Sequence, residues 1–255
     1  MILSEENAQP GNFEEEDETK PLDPLDLTAR DIAIFKLAHE HRYIVYSQIR
    51  EGFWKNRTVS AKTCYKRVER LVRSGFLDKG YSSRKSLDVY FVTAKSFKIL
   101  QDRGLDSGLM LYEPTEWFDR SIDHDLKVLN LRILFRDLGL DSWTSERVAR
   151  DRDHLKKVPD GILNIGGKRI AIEFENLGLT KQMVRYQAML NYYRQHENYV
   201  LLFLIIDGDV KDWLVTVMDY DVKRVWITTY RELTQKKGDA VFENKAASFA
   251  LCEIL

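Results

Sequence analysis

The chain has 255 residues, 44% of them apolar, and a formal net charge of −1, which suits one large or two medium domains with ample core. Two cysteines, Cys64 and Cys252, exclude a disulfide framework and a Cys-based zinc site, and the five histidines contain no helical metal-binding pair. The longest apolar run, 200–206, is far below the ~18 residues that span a membrane, and no basic region followed by an apolar run opens the chain, so a reduced, cytoplasmic protein is expected.

The near-neutral total hides blocks. Residues 1–26 hold nine acids and one lysine, net −8, whereas residues 27–100 hold sixteen Lys or Arg against six acids, net +10. A basic segment in an otherwise acidic chain is the footprint of a polyanion partner. Residues 1–26 are poor in large apolar side chains and are expected to be a disordered, solvated tail. Mimicry of nucleic acid beside the basic segment is its competing role.

From Leu27 the pattern is helical. Thr28-x-x-Asp31 approximates a capping box, whose usual third residue is Glu or Gln, and Ile32, Phe35, Leu37 and Ala38 supply an apolar stripe to about His41. Tyr43–Val45 is short and extended, and Ser47 is expected to cap a brief helix through Phe53 and Trp54. The helix Thr58–Arg73 is more informative. Ala61, Cys64, Tyr65, Val68, Leu71 and Val72 cover one side, while Lys62, Lys66, Arg70 and Arg73 fall within an arc of about 80° on the other. Phe76–Tyr81 and Leu87–Val92 are strands around a Ser82-Ser83-Arg84-Lys85 loop, and Thr93 caps a helix to about Asp102. Three helices and a hairpin with a basic tip form the pattern of a winged helix-turn-helix over 27–104. The helix Thr58–Arg73 then enters the major groove of double-stranded DNA, and Arg84 and Lys85 touch phosphate or minor groove. The competing reading is a solvated basic helix face.

Residues 105–118, with Gly108 and Pro114 as breakers, are expected to be a linker to a second domain, 119–255. A helix from about Asp123 to Leu138 buries Leu126, Leu129, Ile133 and Leu134 and opens with His124-Asp125, ordinarily a histidine satisfied by a carboxylate. Trp143–Arg150 is extended in character and carries Glu146, and 151–157 is a charged loop. The stretch from Pro159-Asp160-Gly161 to Glu175 is a hairpin turning at Gly166-Gly167. Ala171, Glu173 and Glu175 share one face of its second strand, and Ile170, Ile172 and Phe174 the other. The hairpin brings Asp160 beside Glu173, and three acids converging at a sheet edge call for a hard cation, Mg²⁺ or Mn²⁺, on Asp160 and Glu173. A basic helix with Lys181 and Arg185 follows, which together points to metal-assisted cleavage of a phosphodiester. The plainer alternative is a solvent-facing strand after a common Pro-Asp-Gly turn. Thr180 caps the helix from Lys181 to about Gln195. Tyr199–Ile206 is a buried strand, Val210–Val215 helical, Arg224–Thr229 a strand and Arg231–Gln235 one turn. From Ala240 no element is assigned.

Helix, strand, hairpin with Asp and Glu-x-Glu, helix, buried strand: this order resembles the restriction-endonuclease-like PD-(D/E)xK core. Joined to the upstream winged helix and His124-Asp125, the chain resembles, over about 27–220, the replication-relaxation family of plasmid proteins and the neighbouring MobC-type relaxases. The resemblance rests on His124-Asp125, Trp143 … Glu146, Pro159-Asp160, Glu173-x-Glu175 and Lys181. It implies an α+β fold, an N-terminal winged helix-turn-helix followed by a nuclease-like α/β domain. It further implies plasmid or mobile-element DNA processing, double-stranded DNA such as an origin region as partner, and protein partners in a transfer or replication complex. Metal binding is carried onto Asp160 and Glu173, catalysis onto these with Glu175 and Lys181, and secondary roles onto His124, Asp125, Glu146 and Arg185. A metal-activated water, rather than Tyr186, Tyr192 or Tyr193, is the implied nucleophile. One departure stands out: Glu175 occupies the position of the lysine that stabilises phosphate charge or orients the water, leaving Lys181 as its replacement. Two readings stay open, a metal-dependent DNA nickase and a non-catalytic DNA-binding accessory factor or regulator with a degenerate nuclease-like domain.

Overall fold

The computed structural model describes residues 25–54, 61–115, 118–153, 157–176, 183–195, 199–208, 210–217 and 224–254. The tail to residue 24, the start of the helix expected from Thr58, and Lys181 lie outside the described residues.

Helix α1 (Ala29–His41) begins at a complete capping box. Thr28 Oγ1 accepts from Asp31 N at 3.3 Å, and Asp31 Oδ2 accepts from Thr28 N at 2.7 Å. The shorter Asp serves where Glu is usual. Strand β1 (Ile44–Val45) leads into α2 (Tyr46–Phe53), whose start is held by Gln48 Oε1 accepting from Val45 N at 3.2 Å, not by Ser47 as expected. Helix α3 (Ala61–Arg73), strands β2 (Leu77–Ser82) and β3 (Leu87–Val92) and helix α4 (Ala94–Asp102) complete the N-terminal unit. Its three strands form an antiparallel sheet in the order β1-β3-β2. Phe35, Ile49, Cys64, Val68, Leu71 and Leu100 are central to its core.

Residues 105–115 form no helix or strand, yet they are docked rather than free. His39 Nε2 lies 3.1 Å from Asp106 O, Ser107 Oγ donates to Glu40 at 2.8 Å, and Leu105 and Leu111 pack on the core. Helix α5 (Phe118–Asp137) begins five residues before the expected Asp123. Strand β4 (Trp143–Ser145) is followed at once by α6 (Glu146–Asp153), so the extended stretch expected to Arg150 ends at Ser145. Glu146 and Arg150 pair at i,i+4 along one face of α6, a local contact that favours helix over strand.

The remainder is β5 (Gly161–Ile165), β6 (Lys168–Glu175), α7 (Met183–Gln195), β7 (Leu201–Ile206), α8 (Lys211–Val217), β8 (Val225–Thr229), α9 (Tyr230–Lys236), β9 (Val241–Glu243) and β10 (Ser248–Ala250). Gly166 and Gly167, at φ 55° and 78°, make the tight β5–β6 turn, a conformation costly for other residues. The seven strands form one mixed sheet in the order β10-β9-β8-β7-β6-β5-β4, parallel across β6-β7-β8 and antiparallel elsewhere. Both faces are covered. Tyr186, Met189, Leu190 and Tyr193 of α7 meet Ile162, Ala171, Leu204 and Ile206 on one face, and Val128, Leu131 and Phe135 of α5 meet Leu163, Ile172, Phe174 and Phe203 on the other. Double coverage explains the unbroken apolar run of β7. It also places Glu173 and Glu175, each 5% exposed, under a helical layer, which overturns the solvent-facing alternative for this strand.

Helix α5 lies between the two units. Leu129 and Ile133 belong to the N-terminal core, while Val128, Leu131 and Phe135 belong to the core of the large sheet. Its apolar residues therefore surround it instead of forming one stripe.

Candidate functional site

Gly161 pairs with Ile172, so Asp160, one residue earlier, stands opposite Glu173. Gly161 is demanded by a close approach: a Cβ there would sit 2.0 Å from the ring of Trp143 on β4. That crossing anchors the start of β5 and with it Asp160. Asp160 Oδ2 accepts from Phe174 N at 2.8 Å and lies 3.2 Å from His124 Nε2. The His124 ring tilts against Phe174 at 5.5 Å, and its Nδ1 is 3.4 Å from Asp125 Oδ1. Burial disfavours a charged imidazole, but the bonds to Asp125 and Asp160 outweigh it and raise the His124 pKa to about 10.

Asp125 is the hub of a wider network. Its Oδ2 accepts from Tyr43 OH and Ser121 Oγ, each at 2.9 Å, and from Arg42 Nη1 at 3.4 Å. Burial raises its pKa, yet His124, Arg42 and Tyr43 together hold it below the ordinary value. Arg42 also reaches Glu146 Oε2 at 3.3 Å. It ends α1 at φ 77°, a region unfavourable for a residue with a Cβ, and there its guanidinium bridges the two carboxylates. His41, Arg42, His124, Asp125, Glu146 and Asp160 thus line one small polar cleft, where the N-terminal unit meets α5 and α6. His41 and Arg42 were absent from the sequence-derived site; nothing but their basic character beside the helix end marked them.

Glu173 points to the α7 side of the sheet. Tyr193 OH donates to its Oε1 at 2.6 Å, and Lys157 Nζ lies 3.2 Å away. Burial and the nearby charge of Asp160 push the Glu173 carboxyl well above the ordinary carboxylate range, with Lys157 and Tyr193 opposing. Where the sequence has three acids converging, the structure instead gives Asp160 and Glu173 protein partners of their own. Among the described residues no group of three His, Cys, Asp or Glu side chains is close enough to hold a metal ion. Glu175 is buried two positions further along β6. Lys157 is a cation that sequence reading missed, since only the fold brings it to Glu173. Lys181 lies outside the described residues, and Arg185 is on α7 with its side chain outside them.

On α3, Cys64, Val68 and Leu71 are buried, and Lys62, Lys66, Arg70 and Arg73 are exposed on the opposite side. Arg67 turns inward to Asp31. Arg84 and Lys85 sit at the β2–β3 tip, exposed but engaged. Asp119 accepts from Ser82 Oγ, from Ser83 Oγ at 3.0 Å and from Arg84 N at 3.1 Å, while Lys85 pairs with Asp123.

No family model, curated protein or solved structure matches this chain. No helix among the described residues is long and apolar enough to cross a membrane.

Proposed function

We propose that the chain binds double-stranded DNA through a winged helix over residues 27–104 and serves plasmid or mobile-element DNA processing. The observation that carries this reading is α3: four cations exposed on one face, with the opposite face fixed in the core. The order α1-β1-α2-α3-β2-β3, with the strands paired β1-β3-β2, supports α3 as the helix that enters the major groove. Binding through phosphates makes affinity depend on salt, with about 0.9 in log–log slope for each contact. Lys62→Ala and Arg70→Ala are each expected to weaken duplex binding and reduce that slope by about 0.9. Fluorescence anisotropy across a salt series measures both, and unchanged affinity and slope in the double variant places the DNA surface elsewhere.

Metal-dependent nicking by a nuclease-like domain is the second reading, favoured by the position of Asp160 opposite Glu173 and of Lys157 beside Glu173. Apart from α6, which intervenes between β4 and β5, the order α5-β4-α6-β5-β6-α7-β7 supports such a core. Lys157 stands as a second candidate, beside Lys181, for the cation missing at Glu175. Asp160 and Glu173 would hold Mg²⁺ or Mn²⁺, which would supply a polarised water for attack on phosphorus. The ion must displace His124 from Asp160, and Lys157, Tyr193 and a proton from Glu173. Affinity is therefore expected to be weak at neutral pH and to rise with pH. Calorimetry with Mn²⁺ and duplex DNA is expected to give a heat that Asp160→Asn abolishes; no heat at millimolar ion leaves the non-catalytic DNA-binding factor.

A further inference from the structure

We propose that the first turns of α5 are a built-in competitor for DNA, with Asp119 and Asp123 occupying the β2–β3 tip where backbone phosphates bind. The proposal rests on the DNA-binding reading above and deepens it.

The tip offers two hydroxyls and a backbone N–H, from Ser82, Ser83 and Arg84, and all three converge on the Asp119 carboxylate. Hydroxyl and backbone N–H donors beside basic side chains are the groups that hold phosphate oxygens in protein–DNA complexes. Arg84 Nη1 also donates to Arg120 O at 3.4 Å, so its guanidinium is turned toward α5. Lys85 is ion-paired to Asp123, which in turn has Lys127 Nζ at 3.7 Å and the Asn176 amide at 3.4 Å. Each acid therefore takes a place suited to an anionic oxygen of a ligand. Both ion-paired groups are solvent-accessible, and accessible pairs add little net stability, so the contact can open without unfolding the chain. Opening also leaves Asp123 to Lys127 and to Asn176, the residue that follows Glu175.

The test uses the full chain carrying Asp119→Asn and Asp123→Asn together. Hydrogen exchange without DNA reads the contact itself, and the Arg84 amide is expected to exchange at least tenfold faster in the variant. Anisotropy with duplex DNA reads the competition. Affinity is expected to rise about three- to tenfold at low salt, with the slope steeper by up to about 1.8 for two added phosphate contacts. Adding Arg84→Ala and Lys85→Ala should cancel that gain. A gain that survives loss of Arg84 and Lys85 is general charge removal and overturns the proposal. So does unchanged exchange at Arg84, or unchanged affinity alongside faster exchange. If no form binds DNA, the DNA-binding reading fails with it; if binding depends on Lys62 and Arg70 but not on Asp119 and Asp123, the competitor alone fails.

Discussion

Asp31→Ala is expected to destabilise the protein by about 1.5–3 kcal/mol, the worth of hydrogen bonds to a charged group whose partner, Arg67, stays partly exposed and bonded to Asp26 O. Asp31 is fully buried and accepts from Thr28 N and Thr28 Oγ1, each at 2.7 Å, and from Arg67 Nε at 3.0 Å. Alanine removes the reciprocal half of the α1 capping box, the bond from Thr28 N, and leaves the Arg67 guanidinium without this carboxylate. Burial raises the Asp31 pKa, but the bonds from Arg67 and Thr28 outweigh it, so the folded value lies below the unfolded one. The stabilisation is then fully present above the unfolded value near 3.8 and is lost as pH falls through the folded value. Urea unfolding at pH 7 and pH 3 checks both statements. A loss at pH 7 under about 1 kcal/mol contradicts the charged-bond argument. Arg67 neighbours Lys66 on α3, so the variant also tests whether the basic face depends on this inner anchor.

Stability is expected to fall continuously from pH 6 to pH 10, by several degrees in melting temperature, because two groups hold protons more tightly in the folded state. His124, raised from 6.5 to about 10, contributes stability that is complete below 6.5 and disappears as pH rises through about 10. The Glu173 carboxyl ionises near 4.5 when unfolded and well above that when folded, so it too costs stability as pH rises. Both signs agree. Glu173→Gln keeps a side chain that can bond Tyr193 without the alkaline ionisation. It is expected to raise stability at pH 9 by an amount on the order of a few kcal/mol, and to flatten part of the profile. Asp160→Asn removes one of the carboxylates that raise His124 and should move its titration downward, visible by NMR of the imidazole. A flat melting profile between pH 6 and pH 10 rejects the paired-proton account.

The features that sequence made legible share one cause, a local period. The 3.6-residue period separates Cys64, Val68 and Leu71 from the cations of α3, and the two-residue period with Gly166-Gly167 sets the register that faces Asp160 toward Glu173. The α+β character follows from these patterns. What stayed hidden depends on chain-distant partners. Tyr193 and Lys157 reach Glu173 from α7 and from the loop before Pro159, Arg42 reaches Glu146 across 104 residues, and Asp119 meets the tip across 35. Helix α6 was concealed because its eight residues follow a strand directly, with the Glu146–Arg150 pair as their one helical signal. Strands β9 and β10, three residues each, are too short for alternation to register. Thr28-x-x-Asp31 was legible as an approximate capping box, and both of its bonds form with Asp in the place usual for Glu.

Helix α5 bears on how this protein can be rearranged. Its Leu129 and Ile133 complete the N-terminal core, Gln48 Nε2 donates to Leu126 O at 2.9 Å and to Asn130 Oδ1 at 2.8 Å, and Tyr43 donates to Asp125. A graft that exchanges the basic unit at the breaker-rich stretch 105–115 separates that unit from the helix that closes it. A chimaera joined after Leu138 keeps the pair intact and exposes instead the α5 side that Val128, Leu131 and Phe135 present to the large sheet. Either junction cuts through packed side chains, so the two halves behave as one cassette rather than as exchangeable parts.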